Sequence, residues 1–338
     1  MGGLREMGRG MLRPVGAALR LPQRGLRALA AMLMAAALLP AAQAQDAPRL
    51  TIVVGFPPGG GVDIVGRLVA DRLAVLLARP VIVENRPGAS SGVATRYIAQ
   101  AKADGNIIFV NSNSMLVNQL INPEAGYDVE RDLAPIGKYV GQPNLLAAAP
   151  DLPVSNLAEV VALSKTRDIT FSSPGTGSIP HLAAEQLLNV LAGAKVRHIP
   201  YPGSAPALAS VMGSQVQLAS VSAPTAVAMV QGGKLKAIVV TSANRMAALP
   251  QVPTVIESGY PGFVVDTWAG FFVPAATPRA VIDKLDAAIS KVIAEPEMKQ
   301  KLIAQGFDIN HLKPDEFRKD LGEEMKRWRS LLTRITLK

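Results

Sequence analysis

The chain has 338 residues, 49% hydrophobic and 18% charged, with no cysteine. This is the profile of a globular protein long enough for two domains, and it excludes a disordered chain, a membrane bundle, disulfides and a lipidated cysteine. The formal charge of +9 suits a nucleic-acid binder only until it is located: Arg5, Arg9, Arg13, Arg20, Arg24 and Arg27 against Glu6 put +5 into residues 1–44 and leave +4 elsewhere.

Those first 44 residues run from arginines into an apolar stretch, Ala28 to Ala42, and then the small-residue sequence "AQA" at 42–44. The order is that of a secretory signal peptide, expected to be cut after Ala44, and the apolar run is short for a membrane span. A free exported protein of the periplasm is the expectation.

From Leu50 onward short β-branched runs alternate with helical patterns. "LTIVVGF", "PVIVEN", "NIIFVNSN", "KYVGQPNLLAAA", "DITFSS", "KVRHIPY", "VQLASVS" and "LKAIVVTS" read as strands. "VDIVGRLVADRLAVLL", "GVATRYIAQAKA", "NLAEVVALSKT" and "PHLAAEQLLNVL" read as helices. The alternation predicts an α/β protein of largely parallel sheets. From Pro278 to the C-terminus two amphipathic helical stretches follow, whose charges form solvated faces.

The first strand opens through "FPPGGGVD" (56–63) onto a helix start, a place suited to something negative: a nucleotide phosphate, an active-site oxyanion or a cargo carboxylate. A phosphate loop needs a lysine and a hydroxyl after its last glycine, where Val62 and Asp63 stand instead. A dinucleotide fingerprint fits only in the wrong helix register, and Asp63 in the first turn would repel a pyrophosphate. A single carboxylate on backbone amides remains. Asp63 is expected to cap the helix or complement its dipole in preference to touching a ligand.

Two later segments repeat the design, "VENRPGASSGVATRYIA" (83–99) and "FSSPGTGSIPHLAAEQL" (171–187). Three such loops converge if their strands end at a common cleft. A catalytic use of the serines finds little support. Ser178 with His181 lies in no recognisable triad setting. No histidine has metal-ligand spacing, and at 4% aromatic residues the basic and aromatic interleaving of a nucleic-acid surface is missing.

The segments "FPPGGGVDIVGRLVADRL", "VIVENRPGASSGVA", "FSSPGTGSIPHLAAEQL", "LPQVPTVIESGYPGF" and "TWAGFFVPAATPRAVIDKL" together resemble the successive signatures of the Bug family. These are the periplasmic substrate-binding proteins of tripartite tricarboxylate transporters, and the resemblance covers nearly all of the chain after the leader. It implies an α/β, two-lobed periplasmic-binding-protein fold of type II-like form, with a hinge and an interlobe cleft. The expected first lobe is 45–148 joined by 267–338, the second 149–266, with chain crossings near Ala147 to Pro150 and Val264 to Trp268.

The resemblance also implies a function without cofactor or metal: an organic acid is captured in the cleft and handed to the transporter's membrane permease subunits, by a protein expected to be a monomer. An exported α/β enzyme acting on a carboxylic acid or ester, or a binding protein serving a sensor kinase, is the alternative. Two loops, Phe56 to Asp63 and Ser172 to Ser178, are implied to pinch the carboxylate through backbone groups and waters. The candidate ligand residues are Phe56, Pro57, Gly59, Gly60, Asp63, Ser90, Ser91, Asn113, Ser173, Thr176, Gly177, Ser178, Tyr201 and Ser222. Three departures from the family pattern stand out. Tyr-Lys-Gly becomes Tyr201, Pro202 and Gly203; an aspartate is replaced near Ser222; and "DGYT" becomes "DGNI" at 104–107. They point to a cargo whose distal end is less charged or less like an amino acid.

Overall fold

The computed structural model describes residues 48–333. The expected signal peptide, its cut after Ala44 and the last residues of the expected first lobe lie outside them. Two sheets carry the fold. Six strands, β1 (Leu50–Val54), β2 (Val81–Asn85), β3 (Ile107–Asn111), β4 (Leu133–Gln142), β10 (Thr267–Pro274) and β11 (Asp308–Leu312), form one in the order β11-β4-β10-β3-β1-β2. The other contains β5 (Asn144–Ala148), β6 (Ile169–Ser173), β7 (Val196–Pro200), β8 (Leu218–Ser222) and β9 (Lys236–Val240) in the order β7-β6-β8-β5-β9.

The helices are α1 (Gly61–Leu76), α2 (Gly92–Ala99), α3 (Ser114–Ile121), α4 (Val129–Asp132), α5 (Leu157–Ser164), α6 (Ile179–Ala184), α7 (Ser204–Met212), α8 (Val227–Gln231), α9 (Arg279–Ala294), α10 (Pro296–Ala304) and α11 (Pro314–Leu332). In α1, Val62, Val65, Val69 and Leu73 recur at helical spacing and are buried, which gives the helix one apolar face to lay on the sheet. That face joins β1, β3 and the inner sides of α9 and α10 in one core, while Phe109, Phe272, Phe317 and Leu321 fill the opposite face of the same sheet. The second sheet has its own core around Phe171, Leu208, Leu218 and Val239. No helix among the described residues is long and apolar enough to cross a membrane.

Two sequence expectations need correction here. The run "KYVGQPNLLAAA" is not one strand: it breaks at Pro143, which has no N–H to continue a ladder, so β4 ends in the first sheet and β5 begins in the second. The chain therefore first crosses between sheets at residues 142–144, ahead of the expected 147–150, and β5 belongs with the residues that follow it. Nor are the sheets largely parallel. β1 pairs in parallel with β2 and β3, and β6 with β7 and β8. β10 and β11 run antiparallel to their neighbours, as does β5 to β8 and β9. β5 and β10 enter their sheets from a crossing, and without the βαβ connection nothing obliges them to run parallel. The second crossing, after Val265, is stitched to the first by side chains. Asn144 Nδ2 donates to Val265 O at 2.6 Å, Thr241 Oγ1 accepts from Asn144 N at 2.9 Å, and Thr267 Oγ1 donates to Asn144 Oδ1 at 2.9 Å.

Candidate functional site

Between the two sheets lies a cleft of about 430 Å³ including its mouth, within the usual range for small-molecule sites. Its walls come from the ends of strands where they hand over to helices. β1 leads to Gly60, Gly61 and Val62 at the start of α1; β3 leads to Ser112 and Ser114 at α3; β6 leads to Ser178 at α6. From β7 the chain reaches Gly203 and Ser204 at α7, and from β8 it reaches Ser222. Gln142 and Thr267, neighbours on the crossing strands, are also in the lining, with Phe56, Pro57, Pro174 and Pro180 as its apolar part. No Lys, Arg, Asp, Glu or His is among these residues. Amides at helix starts and hydroxyls make the site attractive to an anion while leaving it free of formal charge.

The first loop is shaped from behind by Asp63, which is buried. Its Oδ2 accepts from Gly59 N and Arg67 Nε, both at 2.9 Å, and its Oδ1 accepts from Asn85 Nδ2 at 2.7 Å. Asn85 Nδ2 also donates to Phe56 O at 2.9 Å. Burial alone would raise the Asp63 pKa, but the hydrogen bonds from Arg67, Asn85 and Gly59 outweigh it and hold the group below its ordinary value. Gly60 is the N-cap and Asp63 sits at the third helical position, so the carboxylate ties down the loop and neither caps with its own turn nor enters the lining. Gly59, at φ +84°, takes a left-handed conformation suited to glycine, and its amide is spent on Asp63. The residues after it, Gly60, Gly61 and Val62, are in the lining.

The second loop rests on a pair of stacked imidazoles. His181 and His198 have ring centroids 3.8 Å apart. His181 Nδ1 accepts from Gly177 N at 3.1 Å, and His198 Nε2 lies 2.6 Å from Ser173 Oγ. Burial pushes His181 down to about 4; burial and the neighbouring His181 push His198 down to about 3. Ser178 Oγ donates to Gly175 O at 2.7 Å and accepts from His181 N at 3.4 Å, so no imidazole is placed to take its proton.

Of the residues singled out from sequence, Phe56, Pro57, Gly60, Ser178 and Ser222 line the cleft. The others do not, and the geometry gives the reasons. Gly59 and Asp63 bond each other, and Ser173 turns to His198. Ser91 Oγ accepts from Asn111 in the core at 3.0 Å. Asn113 points away, donating to Glu324 Oε1 at 2.7 Å and to Asp266 O at 3.0 Å. Ser90 Oγ donates to Thr176 O at 2.7 Å, a bond from one sheet's loop to the other's. Gly177 spends its amide on His181, and Tyr201 packs against the second core. Sequence reasoning missed Gly61, Ser112, Ser114, Gln142, Ser204 and Thr267. In "NSNS" (111–114) it picked Asn113, whose serine neighbours are the ones in the lining. Gln142 carried one signal, a polar residue closing an apolar strand immediately before proline. Among the described residues no group of three or more His, Asp or Glu side chains could hold a metal ion.

Comparison with known proteins gives the same picture at the level of the whole chain. The model of the family described as tripartite tricarboxylate transporter family receptor matches residues 65–337. Protein BugT of Bordetella pertussis is 31% identical over 291 residues, covering 85% of this chain and 89% of that protein. Among solved structures, R. palustris Rpa4515 with adipate superposes with a TM-score of 0.82 at 27% identity, covering 86% of this chain and 98% of the other. MatC from Rhodopseudomonas palustris with bound malate gives 0.79 at 30% identity, covering 84% and 99%.

Proposed function

The chain belongs to the tripartite tricarboxylate transporter receptor family, and on that premise we propose that it is an exported periplasmic receptor that captures a small organic carboxylate in its cleft and delivers it to the membrane permease subunits of such a transporter. The family is one of solute-binding receptors, and the two similar structures named above carry adipate and malate. The observation that carries the proposal is the convergence of α1, α3 and α7, each by its N-terminal end, on one cavity whose lining holds no charged side chain. Helix N-termini and their dipoles attract a carboxylate, and the absence of a fixed cation in the lining leaves the cargo releasable. An enzymatic role finds no support in the serines and histidines nearby. The imidazoles are held neutral and turned to the backbone or to Ser173, behind the lining.

A thermal-shift screen of mono- and dicarboxylic acids tests this. A cargo at about 100 times its dissociation constant stabilises the fold by roughly 2.7 kcal/mol. A protein stabilised by nucleotides or sugars and by no carboxylate would refute the assignment, and mass spectrometry of co-purified ligand would name the acid.

A further inference from the structure

Gln142 is the last residue of β4, at the point where the chain passes from one sheet to the other, and its side chain is completely buried. Half of its amide is satisfied: Oε1 accepts from Ser222 Oγ at 2.8 Å. The other half is not, because Nε2 has no hydrogen-bond partner among the described residues. A buried amide N–H pair without an acceptor is costly, and Gln142 is one of the residues that line the cleft. The amide is also held in place. A β-carbon on Gly61 would collide with Oε1, so the start of α1 packs directly against it, and Ser222 fixes it from the second sheet. Two donors thus sit immobilised in the lining with nothing among the described residues to receive them.

Resting on the carboxylate assignment of the cleft, we propose that Gln142 determines specificity: its amide donates to a second oxygen of the cargo, so that the receptor selects short carboxylates bearing a hydroxyl, oxo or further carboxyl oxygen and rejects those bearing an ammonium group. The rejection follows from the same lining. An ammonium group needs acceptors and favours an anion; the cleft offers no acidic side chain, and the nearest carboxylate along the loop, Asp63, already accepts three hydrogen bonds behind it. An oxygen acceptor, charged or neutral, meets the free amide directly.

Matched straight-chain acids of four to six carbons separate this from the underlying assignment. Each alkanoate is titrated calorimetrically beside its hydroxy, oxo, dicarboxylate and amino counterparts, with wild-type protein and with Gln142→Met, whose fold is checked by thermal melting. In the wild type, at least one oxygenated acid binds roughly ten- to a hundredfold more tightly than its unsubstituted parent, and the amino acids bind no better than that parent. In Gln142→Met the preference collapses to about twofold. If Gln142→Met does not fold, Gln142→Glu serves. It keeps the acceptor for Ser222 and removes the donors, and it too loses the preference. A preference that survives either substitution, or a wild-type protein that favours amino acids, overturns the role of Gln142 and leaves the carboxylate site standing. Failure of every acid to bind the wild type overturns both.

Discussion

At Asp63 three donors, Gly59 N, Arg67 Nε and Asn85 Nδ2, meet one carboxylate, and none of them can act as an acceptor there. At a helix cap Asn would serve as well as Asp. The geometry contradicts that equivalence: either orientation of an Asn amide points its NH₂ at a donor. Asp63→Asn is expected to lose roughly 1–3 kcal/mol of stability at pH 7, measured by urea unfolding, with part of the loop's order. The loss depends on pH in a fixed sense. The Asp63 pKa is lowered on folding, so its contribution is fully present above the unfolded value near 3.9 and disappears as pH falls through the folded one. Wild type and Asp63→Asn should therefore converge in stability at strongly acid pH. A difference that persists undiminished there would mean the hydrogen bonds do not depend on ionisation.

At the scale of elements, what the sequence made legible was the set of strands followed by helices. β1, β2, β3, β6, β7 and β8 were all found, since alternation of a β-branched run with a 3.6-residue apolar pattern is a local signal. The elements it missed are defined by distant partners. β10 reads "TWAGFFVP", completely buried between β3 and β4, so it shows no alternation. β11 reads "DINHL" and is half exposed at the edge of the sheet, so it shows no apolar run. The site suffered in proportion. Choosing Ser112 and Ser114 over Asn113 requires knowing that Glu324, on α11, waits behind Asn113.

The crossing elements also carry a titrating group. Asp266 lies between the two sheets, accepts from Thr241 Oγ1 at 3.1 Å, and is raised to about 6 by burial and by Asp308 despite that hydrogen bond. A raised carboxylate contributes stability below its unfolded pKa near 3.9 and loses it as pH climbs through about 6. Asp266→Asn, which keeps an acceptor for Thr241, should raise the melting temperature at pH 7.5 and leave it nearly unchanged at pH 4. An equal gain at both values would assign the effect to packing.

On the scale of the molecule, the two sheets meet around the cleft through a few close approaches where glycine leaves room. Gly203 faces Pro57, Ser90 reaches Thr176, and Gly61 abuts Gln142 and Ser222. Behind the cleft, Val117 and Trp328 pack with Ile179 and Leu182. Binding proteins built this way close by small rotations about their crossings, and the crossings here are two short segments, 142–144 and 265–267. Closure should then be sensitive to volume at the points of approach, which include Gly61 and not Gly60. Gly60 has φ −80° and ψ 160°, ordinary for any residue, and a β-carbon there would find its nearest neighbour, Pro57 O, 3.7 Å away. At Gly61 a β-carbon would collide with Gln142 Oε1 and stand 2.8 Å from Ser222 Oγ. Gly61→Leu should act as a wedge and Gly60→Ala should not. Small-angle scattering with and without the acid found by screening reads this directly. Wild type and Gly60→Ala should contract when ligand is added, whereas Gly61→Leu should keep its ligand-free radius of gyration and bind at least tenfold more weakly, by the cost of overpacking a close contact. If Gly61→Leu contracts and binds like wild type, α1 does not meet the second sheet in the closed state, and the cleft closes around its cargo by another path.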